Sequence, residues 1–298
     1  MHKNNRNILL FGANGQLGTK LNTLLATKGT VRAVGHADLD LRDLATLRTL
    51  ILETNPTLIV NAAAYTAVDA AESDAENAYL VNAEAPRVMA EAARERNALF
   101  VHYSTDYVFA GTAHTPYTEE SPVSPLGVYG VTKLAGEQAV ATSGAAYLIL
   151  RTAWLYSNRG KNFLNTMLRL AAERNELRVV NDQTGCPTHA DLVADASVVM
   201  LDGMFVSGSL RTERCGLYHI ACQGETTWWG FAQRIIELAG FGERVRVLPI
   251  TTAEYQTSAK RPTYSVLSSD KLARVFGIRL PHWEDGLKRC LAERDTLK

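Results

Sequence analysis

The sequence predicts an α/β fold in which a doubly wound parallel sheet is combined with a smaller, interleaved C-terminal domain. Short apolar segments of strand length alternate repeatedly with helical segments along residues 1–155. Parallel strands joined by right-handed helical crossovers produce this alternation. Residues 156–298 alternate less regularly, and the strands expected at about 179–182 and 216–222 would rejoin the first sheet. We therefore expect one domain over 1–155 and a second, mostly substrate-binding, over 156–298.

A glycine-rich turn follows the first apolar segment, 7–11, and precedes a helical segment, 19–26. In a Rossmann fold such a turn lets the backbone approach a pyrophosphate, and the next helix presents free N–H groups and the positive end of its dipole. An ordinary strand-to-helix turn is the alternative interpretation. The order of strand, turn and helix favours a dinucleotide-binding domain over 1–155, with these turn residues as ligands: Gly12, Asn14, Gly15, Gln16, Leu17 and Gly18.

The end of the second predicted strand, 31–35, bears on the choice of cofactor. Rossmann folds that bind NAD often carry an acidic residue there, which bonds the ribose hydroxyls. This chain has Gly35 and His36 instead, and no carboxylate before Asp38. A 2′-phosphate would meet no repulsion at this position, and His36 could contact it. We therefore expect NADPH to be preferred, with NADH as a second cofactor.

Two further segments are expected to contact the cofactor. The first follows the second strand and is placed to flank an adenine ring. The second follows the strand 57–60, where small residues leave room for a cofactor across the strand ends. Tight packing of a helix on the strand explains the small residues equally well. The predicted contacts are Asp40 and Leu41 in the first segment and Ala62, Ala63, Ala64 and Tyr65 in the second.

A phenol and an ammonium group lie four positions apart at Tyr129 and Lys133, where a helix is predicted to begin. Residues i and i+4 share one face of a helix. A nearby cation favours the phenolate, so the pair is a candidate proton donor near neutral pH. The spacing alone is more often that of a solvated surface pair. Hydroxyl groups at Ser104 and Thr105 follow the strand predicted at 99–103, at the sheet edge where α/β folds bind ligands.

The bulk composition argues against several classes of function. The net charge is zero, so bulk attraction to nucleic acid or to an anionic membrane is not expected. The four cysteines are scattered without a Cys-x-x-Cys pair, which indicates a reducing compartment. The sequence contains no recognisable signal peptide and no apolar run long enough to span a bilayer. We expect a cytoplasmic protein without nucleic-acid or membrane partners.

Several segments together form a more specific pattern than the glycine turn. They are 12–18 (GANGQLG), 60–72 (VNAAAYTAVDAAE), 104–109 (STDYVF), 129–133 (YGVTK), 150–156 (LRTAWLY), 181–188 (NDQTGCPT) and the pair Arg261 and Pro262. This set resembles the extended short-chain dehydrogenase/reductase family and, within it, the dTDP-4-dehydrorhamnose reductases. The resemblance spans nearly the whole chain, and the stretches 60–72 and 181–188 are its most specific parts.

The resemblance implies that NADPH or NADH reduces the C4 keto group of dTDP-4-dehydro-L-rhamnose (dTDP-4-dehydro-6-deoxy-L-mannose). The product, dTDP-L-rhamnose, is a precursor of rhamnose-containing surface polysaccharide. By this match Tyr129 protonates the C4 oxygen and Thr105 donates a hydrogen bond to it, while Lys133 lowers the pKa of the phenol and bonds the nicotinamide ribose. Hydride addition to a ketone creates an oxyanion, which pre-placed donors stabilise. The implied contacts with the dTDP-sugar are Thr105, Asp106, Trp154, Gln183, Gly185, Pro187, Thr188 and Arg261.

One position departs from the pattern of this family. Some members are thought to dimerise around a divalent cation held by acidic residues, one of them on the first helix. This chain has Lys20 at the matching place. Because an ammonium group repels a metal ion, we expect no metal and either a monomer or a weak homodimer of another kind. The adjacent residues Trp228 and Trp229 are expected to pack in the core of an amphipathic helix rather than to stack on a base.

Two other functions stay open from the sequence. A nucleotide-sugar epimerase or dehydratase of the same family uses the same Tyr and Lys but retains NAD⁺, and Asp106 beside Thr105 is compatible with its additional acid. A non-catalytic subunit that binds a dinucleotide and regulates a partner enzyme is the second alternative. The chain retains Thr105, Tyr129 and Lys133, which argues against a subunit that has lost catalytic activity.

Overall fold

The computed structural model describes residues 6–206 and 209–295, and within these ranges no helix is long and apolar enough to cross a membrane. The strands are β1 (Arg6–Phe11), β2 (Gly29–Val34), β3 (Leu58–Asn61), β4 (Leu99–Thr105), β5 (Ala146–Thr152), β6 (Leu155–Tyr156), β7 (Glu176–Val180), β8 (Thr184–Gly185), β9 (Thr188–His189), β10 (Phe205–Val206), β11 (Ser209–Leu210), β12 (Gly216–His219), β13 (Thr226–Thr227) and β14 (Arg246–Ile250). The α-helices are α1 (Gln16–Leu25), α2 (Leu44–Thr54), α3 (Val68–Ala71), α4 (Ala75–Tyr79), α5 (Ala85–Glu95), α6 (Val128–Thr142), α7 (Phe163–Glu173), α8 (Ala190–Met204), α9 (Trp228–Leu238), α10 (Asp270–Phe276) and α11 (Trp283–Asp295).

A six-stranded sheet forms the centre of the molecule, in the order β12-β5-β4-β3-β1-β2. Every pairing in it is parallel. The order reverses direction at β1, where the chain leaves the sheet centre for one edge and later returns to the other. In an open parallel sheet, ligands bind at such a switch point, beyond the carboxyl ends of the strands. The predicted α/β fold with a doubly wound parallel sheet is confirmed.

Both faces of the sheet are covered, as a parallel sheet requires. Successive side chains of a strand point to opposite faces, so each strand contributes to two cores. One core lies against α2 and α5, and the other lies against α1 and α8. The strand residues are Leu9, Ile59, Phe100 and Ile149 in the first core and Leu10, Val60, Val101 and Leu150 in the second.

The second half of the chain contributes one strand to this sheet. The segment Gly216–His219 lies beside β5 at the sheet edge. The strand expected at about 179–182 does not join the sheet, so that expectation is wrong. It forms β7, which pairs in parallel with β14 in a separate two-stranded sheet. The sequence of a short apolar strand does not show which strand it pairs with, because the partner lies far away in the chain.

Between β3 and β4 the chain forms α3, α4, a single π-helical turn (Leu80–Glu84) and α5. The π turn points the backbone carbonyl of Asn82 at Gly136 of α6, where a Cβ atom would collide with it. The side chain of Asn82 is fully buried and bonds the backbone of Tyr65 and the hydroxyl of Thr132. This close packing fixes the start of α6 relative to the end of β3.

A buried ion pair fixes α6 to the sheet. Arg151 of β5 donates to both carboxylate oxygens of Glu137, at 2.8 and 2.6 Å, and both side chains are 4% exposed. Paired, charge-assisted hydrogen bonds of this kind hold a fixed geometry. The helix that carries Tyr129 and Lys133 is therefore anchored on two sides.

Candidate active site

A cleft of about 1050 Å³ opens along the carboxyl ends of the sheet strands. Residues from the ends of β1, β2, β3, β4 and β5 meet there with residues of α6 and α9. Most of the site residues predicted from the sequence line it. They are Gly12, Asn14, Gly15, Gln16, Leu17, Gly35, His36, Asp40, Leu41, Ala62, Ala63, Ala64, Tyr65, Thr105, Asp106, Tyr129, Lys133 and Trp154.

The glycine turn forms one end of this cleft. Gly12 adopts φ +75°, a conformation that favours glycine, and a Cβ there would stand 2.6 Å from the backbone N of Ala63. Gly18 does not line the cleft; it packs against the carbonyl of Gly12 so closely that a Cβ would collide with it. Gly15 is the N-cap of α1, and within the described chain no side chain caps that helix. The uncapped N–H groups and the helix dipole fit a pyrophosphate.

The loop between β2 and α2 forms the far end of the cleft. It has two features that the sequence analysis did not predict. Asp38 folds back, and its Oδ2 accepts a hydrogen bond from the backbone N of Gly35 at 2.7 Å. Arg42, which the sequence analysis did not single out, also lines the cleft. Its Nε donates to Asp40 Oδ1 at 3.0 Å, and its Nη1 donates to Asn77 at 3.1 Å. The hydrogen bonds from Arg42 lower the pKa of Asp40 to about 2.

Thr105 and Tyr129 lie next to each other in the cleft. Thr105 is the last residue of β4; its hydroxyl donates to Oδ1 of Asp106 at 3.0 Å and accepts from the backbone N of Tyr107 at 3.2 Å. Tyr129 is the second residue of α6, and the ring of Tyr107 packs edge-on against it at 5.6 Å. The strand end and the helix start therefore bring two hydroxyl groups to one wall.

The pKa of Tyr129 is raised, whereas the sequence analysis expected it to be lowered. Burial raises it to about 12, and a hydrogen bond with Thr105 only partly opposes this effect. The ammonium of Lys133 was expected to lower it. Lys133 Nζ instead donates to the backbone carbonyl of Tyr103 at 2.7 Å and lies 3.2 Å from His102 Nε2. The expectation of a lowered phenol pKa is wrong for this arrangement.

Asp106 is a buried acid beside these hydroxyls. It is 2% exposed, and burial raises its pKa to about 6, although hydrogen bonds from Ser265 and Thr105 lower it in part. Perturbed carboxyl groups in clefts are typical of functional sites. Asp106 is thus a second titratable group within reach of a ligand at Thr105.

Two stacked tryptophans form the opposite wall. Trp154 and Trp228 lie 3.5 Å apart, with 3° between their planes, and both line the cleft. Trp154 adopts φ +44°, which is unusual for a residue other than glycine. Trp228 packs against the core, as expected, and the helix α9 that carries it also brings it to the cleft. Trp229 bonds the backbone carbonyl of Val247 instead.

Five predicted substrate contacts do not line the cleft. Gly185 supports Trp154 from behind, where a Cβ would collide with the indole. Gln183 bonds the hydroxyl of Thr252. Arg261, expected to bind a diphosphate, donates to Asp69 at 2.7 Å. Pro187 directly precedes β9, and Thr188 begins that strand beside β6, where it bonds the backbone of Cys186 and Cys222. Sequence spacing could not show that these side chains are engaged by other parts of the chain.

A small polar cluster lies outside the cleft, where α1, α8 and α11 meet. One ligand atom each from His189, Asp191 and Glu293 lie within 4.8 Å of one another. Lys20 Nζ stands 3.3 Å from Asp191 Oδ2. An ammonium group therefore already faces the carboxylate that a cation would approach.

Comparison with known proteins identifies the family. The family model described as the RmlD substrate binding domain matches residues 6–296. A dTDP-4-dehydrorhamnose reductase of Burkholderia thailandensis is 45% identical over 296 residues, covering 97% of this chain and 99% of that protein. The chain belongs to the RmlD family of dTDP-4-dehydrorhamnose reductases. The resemblance inferred from the sequence is thereby confirmed.

Solved structures of this reductase family share the fold over nearly the whole chain. The dTDP-4-dehydrorhamnose reductase of Clostridium acetobutylicum has a TM-score of 0.90 and 38% identity, and the match covers 97% of this chain and 99% of that one. The reductase of Bacillus anthracis, crystallised in complex with NADP, also has a TM-score of 0.90, with 35% identity and the same coverage. Both chains therefore match the cleft and the second domain together, not the Rossmann sheet alone.

Proposed function

We propose that this member of the RmlD family reduces the C4 keto group of dTDP-4-dehydro-L-rhamnose to dTDP-L-rhamnose, for rhamnose-containing surface polysaccharide. The observation that carries the proposal is the meeting of Thr105 and Tyr129 in the cleft onto which the glycine turn opens. We infer the substrate from the relatives of this chain, such as the dTDP-4-dehydrorhamnose reductase of Burkholderia thailandensis. The acid, the oxyanion donor and the phosphate cradle lie in one cavity, as a ketone reduction requires.

A nicotinamide dinucleotide held by the glycine turn and the start of α1 would supply the hydride for the new C4–H bond. As the carbonyl π electrons move to the C4 oxygen, the hydroxyl of Thr105, which donates to Asp106 in the free protein, turns its single O–H to that oxygen. Tyr129 then gives its phenolic proton to that oxygen, and solvent returns one proton to the phenolate. General acid catalysis of this kind accelerates a reaction roughly 10²–10⁴-fold. Lys133, at the floor of the cleft, bonds the cofactor ribose and supports the phenolate once it forms.

The proposed cofactor is NADPH in preference to NADH. His36 and Arg42 line the end of the cleft where the adenosine ribose would lie, and both offer donors for a 2′-phosphate. The carboxylate nearest to the end of β2, Asp38, is engaged by the backbone of Gly35. The pyrophosphate would be held by the N-terminus of α1 at Gly15, Gln16 and Leu17.

The sugar is proposed to lie between Thr105, Asp106 and the stacked Trp154. The nucleotide half then extends towards the second domain, where Gln183, Gly185, Pro187 and Thr188 are proposed to shape its site from behind the indoles. Arg261 would bind the diphosphate after releasing Asp69, because guanidinium binds carboxylate and phosphate groups in the same bidentate manner. In this division, 1–155 binds the dinucleotide and 156–298 mostly binds the sugar nucleotide.

The oligomeric state and the location are part of the same proposal. We propose a cytoplasmic monomer or weak homodimer that needs no metal ion, since Lys20 faces Asp191 in the only described group of possible metal ligands, His189, Asp191 and Glu293. The neutral charge of the sequence gives no reason to expect nucleic acid or membrane as a partner.

Isotope transfer tests the proposed reaction. The substrate is generated in place by its epimerase, and NADPH carrying deuterium at C4 of the nicotinamide is the reductant. We expect a dTDP-6-deoxyhexose product with one deuterium at its C4, read by mass spectrometry and proton NMR. Consumption of the cofactor without deuterium at C4 of the sugar would refute the proposal.

A dehydratase or epimerase of the same extended family is the alternative, and the buried Asp106 beside Thr105 is the observation that favours it. Such an enzyme recycles its NAD⁺ and keeps it bound. A purified protein that carries NAD⁺ through gel filtration and turns over a dTDP-sugar without consuming NADPH would support this alternative.

A further inference from the structure

Trp154 has a backbone conformation that residues with a Cβ atom seldom adopt. Its φ of +44° lies in the left-handed region, two residues after the end of β5. A residue other than glycine stays in this region only where its surroundings hold it there, and such residues cluster at functional sites. The contacts of the Trp154 indole therefore show what holds it and what it can offer to a ligand.

The indole of Trp154 is covered on both faces. The ring of Trp228 lies parallel to it, with 3.5 Å between the centroids and 3° between the planes. A Cβ on Gly185 would stand 2.3 Å from Cε2 and 2.5 Å from Nε1 of Trp154. Between the two planes, such an atom would also meet Trp228, yet its three nearest atoms all belong to Trp154. Gly185 therefore covers the other face, and neither face is free for a ligand to stack on.

The two sides of this clamp come from paired strands. Thr226 of β13 lies opposite Gly185 of β8 in antiparallel register, and Trp228 follows as the first residue of α9. The side-chain oxygen of Thr227 accepts a hydrogen bond from the backbone N of Gly230 at 3.1 Å and so caps α9. Strand pairing and the helix cap together fix the position of Trp228 relative to Gly185.

Phe163 supports Trp228 from its outer side. The two ring centroids lie 4.6 Å apart, with 46° between the planes. Phe163 packs in turn on the fully buried ring of Phe231 at 5.5 Å. The order across the clamp is therefore Phe163, Trp228, Trp154 and Gly185. Trp228 is held between two rings, so it can hold the strained Trp154 in one orientation.

With both faces covered, Trp154 offers its edge to the cleft. The indole N–H is a hydrogen-bond donor only. In the part of the chain that the structure describes, the N–H of Trp154 bonds no other residue, and it is not one of the enclosed atoms without a partner. The N–H of Trp229, by contrast, donates to the carbonyl of Val247 at 3.0 Å. Trp154 thus presents an accessible donor that an acceptor oxygen of a ligand can satisfy.

We propose that Trp228 is a positioning residue that clamps Trp154 edge-on, so that the indole N–H donates to a hydroxyl oxygen of the hexose. The hexose is the acceptor because Trp154 follows Thr152, which pairs in register with Thr105, the residue assigned to the C4 oxygen. The inference rests on the proposed function, since it takes the hexose of a dTDP-sugar as the ligand. It predicts a hydrogen bond to the sugar instead of stacking on the sugar or the base.

Indole ¹H–¹⁵N spectra of the full chain labelled with ¹⁵N-tryptophan test this contact. The chain has four tryptophans and so four indole signals, which Trp154→Phe and Trp229→Phe help to assign. We expect dTDP-L-rhamnose to move the Trp154 proton downfield and to slow its exchange with water, whereas dTDP alone should do neither. The Trp229 signal is the internal reference and should not move. No response of Trp154 to dTDP-L-rhamnose overturns the proposal, and so does the same response to dTDP, which would place the acceptor in the nucleotide half.

Variants of Trp228 test the clamp itself. Trp228→Phe keeps a planar ring against Trp154, whereas Trp228→Leu keeps apolar volume without one. We expect Trp228→Leu to lose the response of Trp154 to dTDP-L-rhamnose and to weaken binding of that ligand about fivefold, the usual size of one hydrogen bond, with binding of dTDP unchanged. Trp228→Phe should retain both, and so should the control Trp229→Phe. Equal behaviour of Trp228→Phe and Trp228→Leu contradicts the clamp; should Trp228→Leu not fold, the wild-type titration still decides, because it needs no variant.

The two proposals fail separately. If the Trp154 N–H responds to dTDP-L-rhamnose but no deuterium reaches C4 of the sugar, the proposed reaction is wrong and the clamp stands as a sugar-binding device. If deuterium reaches C4 while the Trp154 N–H does not respond, the proposed reaction stands and the inference about Trp228 is wrong.

Discussion

Asp106 is a single residue whose burial in the cleft lowers the stability of the folded protein at neutral pH. The carboxyl is 2% exposed, and burial raises its pKa from 3.8 to about 6. At neutral pH it is therefore charged in a site that disfavours the charge. A raised folded-state pKa contributes stability that is present below the unfolded pKa and is lost as pH rises through the folded one. For Asp106 this window runs from about pH 4 to about pH 6.

We expect Asp106→Asn to stabilise the protein at pH 7, because the amide is never charged. A pKa shift from 3.8 to about 6 corresponds to about 3 kcal/mol of unfolding free energy. Urea unfolding at pH 7 and at pH 4 measures the gain, which should be nearly absent at the lower pH. The exposed Asp202, paired with Lys28, gives the control variant Asp202→Asn, expected to change stability by under about 1 kcal/mol. An equal gain at both pH values would contradict the account.

Tyr129 is the residue on which the proposed chemistry depends. We expect Tyr129→Phe to lower kcat by at least about a hundredfold, because the C4 oxygen loses its proton donor. Steady-state rates at saturating sugar and NADPH measure this. Tyr79→Phe removes the same hydroxyl from an exposed tyrosine outside the cleft and should leave kcat unchanged. Near-normal turnover of Tyr129→Phe would refute the role of Tyr129 as the proton donor. Unchanged biological activity of this variant would support the non-catalytic regulatory subunit.

At the scale of elements, local patterns predicted the parts of the site that are made by single connections. The glycine turn at Gly12, the hydroxyl at the end of β4 and the start of α6 each follow from a strand, a turn and a helix that are adjacent in the sequence. The pairing of β7 with β14, the stacking of Trp154 on Trp228 and the bond between Arg261 and Asp69 were not predictable in this way. Each joins segments far apart in the chain.

The loop between β2 and α2 is the element that we expect to select the cofactor. Arg42→Ala removes a cation from the end of the cleft, so kcat/KM for NADPH should fall about tenfold while that for NADH changes less than about threefold. Arg48→Ala is the matched control. Arg48 lies on α2, pairs with Glu95 of α5 and does not line the cleft. A clear preference of the wild-type protein for NADH would show that the inference from Gly35 and His36 is wrong.

On the scale of the whole molecule, the cluster of His189, Asp191 and Glu293 bears on assembly. Lys20 supplies the positive charge at Asp191 that a divalent cation would otherwise bring. The glycine turn, Thr105 and Tyr129 line one cleft at the carboxyl ends of the sheet strands. We expect the proposed reaction not to depend on a second copy.

Size-exclusion chromatography with light scattering tests this independence. We expect the same mass with Mg²⁺ and with EDTA, and equal activity per chain in both. Lys20→Glu replaces the ammonium with a carboxylate and should create a Mg²⁺-dependent rise in the unfolding temperature that the wild-type protein lacks, through ligand-linked stabilisation. A wild-type dimer that forms with Mg²⁺ and dissociates in EDTA would contradict the expectation.

The central claim is tested most directly by one coupled assay. dTDP-4-dehydro-L-rhamnose is produced in place by its epimerase, and the oxidation of NADPH and of NADH is followed in parallel. The account predicts that NADPH is consumed in proportion to the dTDP-L-rhamnose formed, with the higher kcat/KM for NADPH. If neither cofactor is consumed when the substrate is present, this chain is not the reductase proposed here.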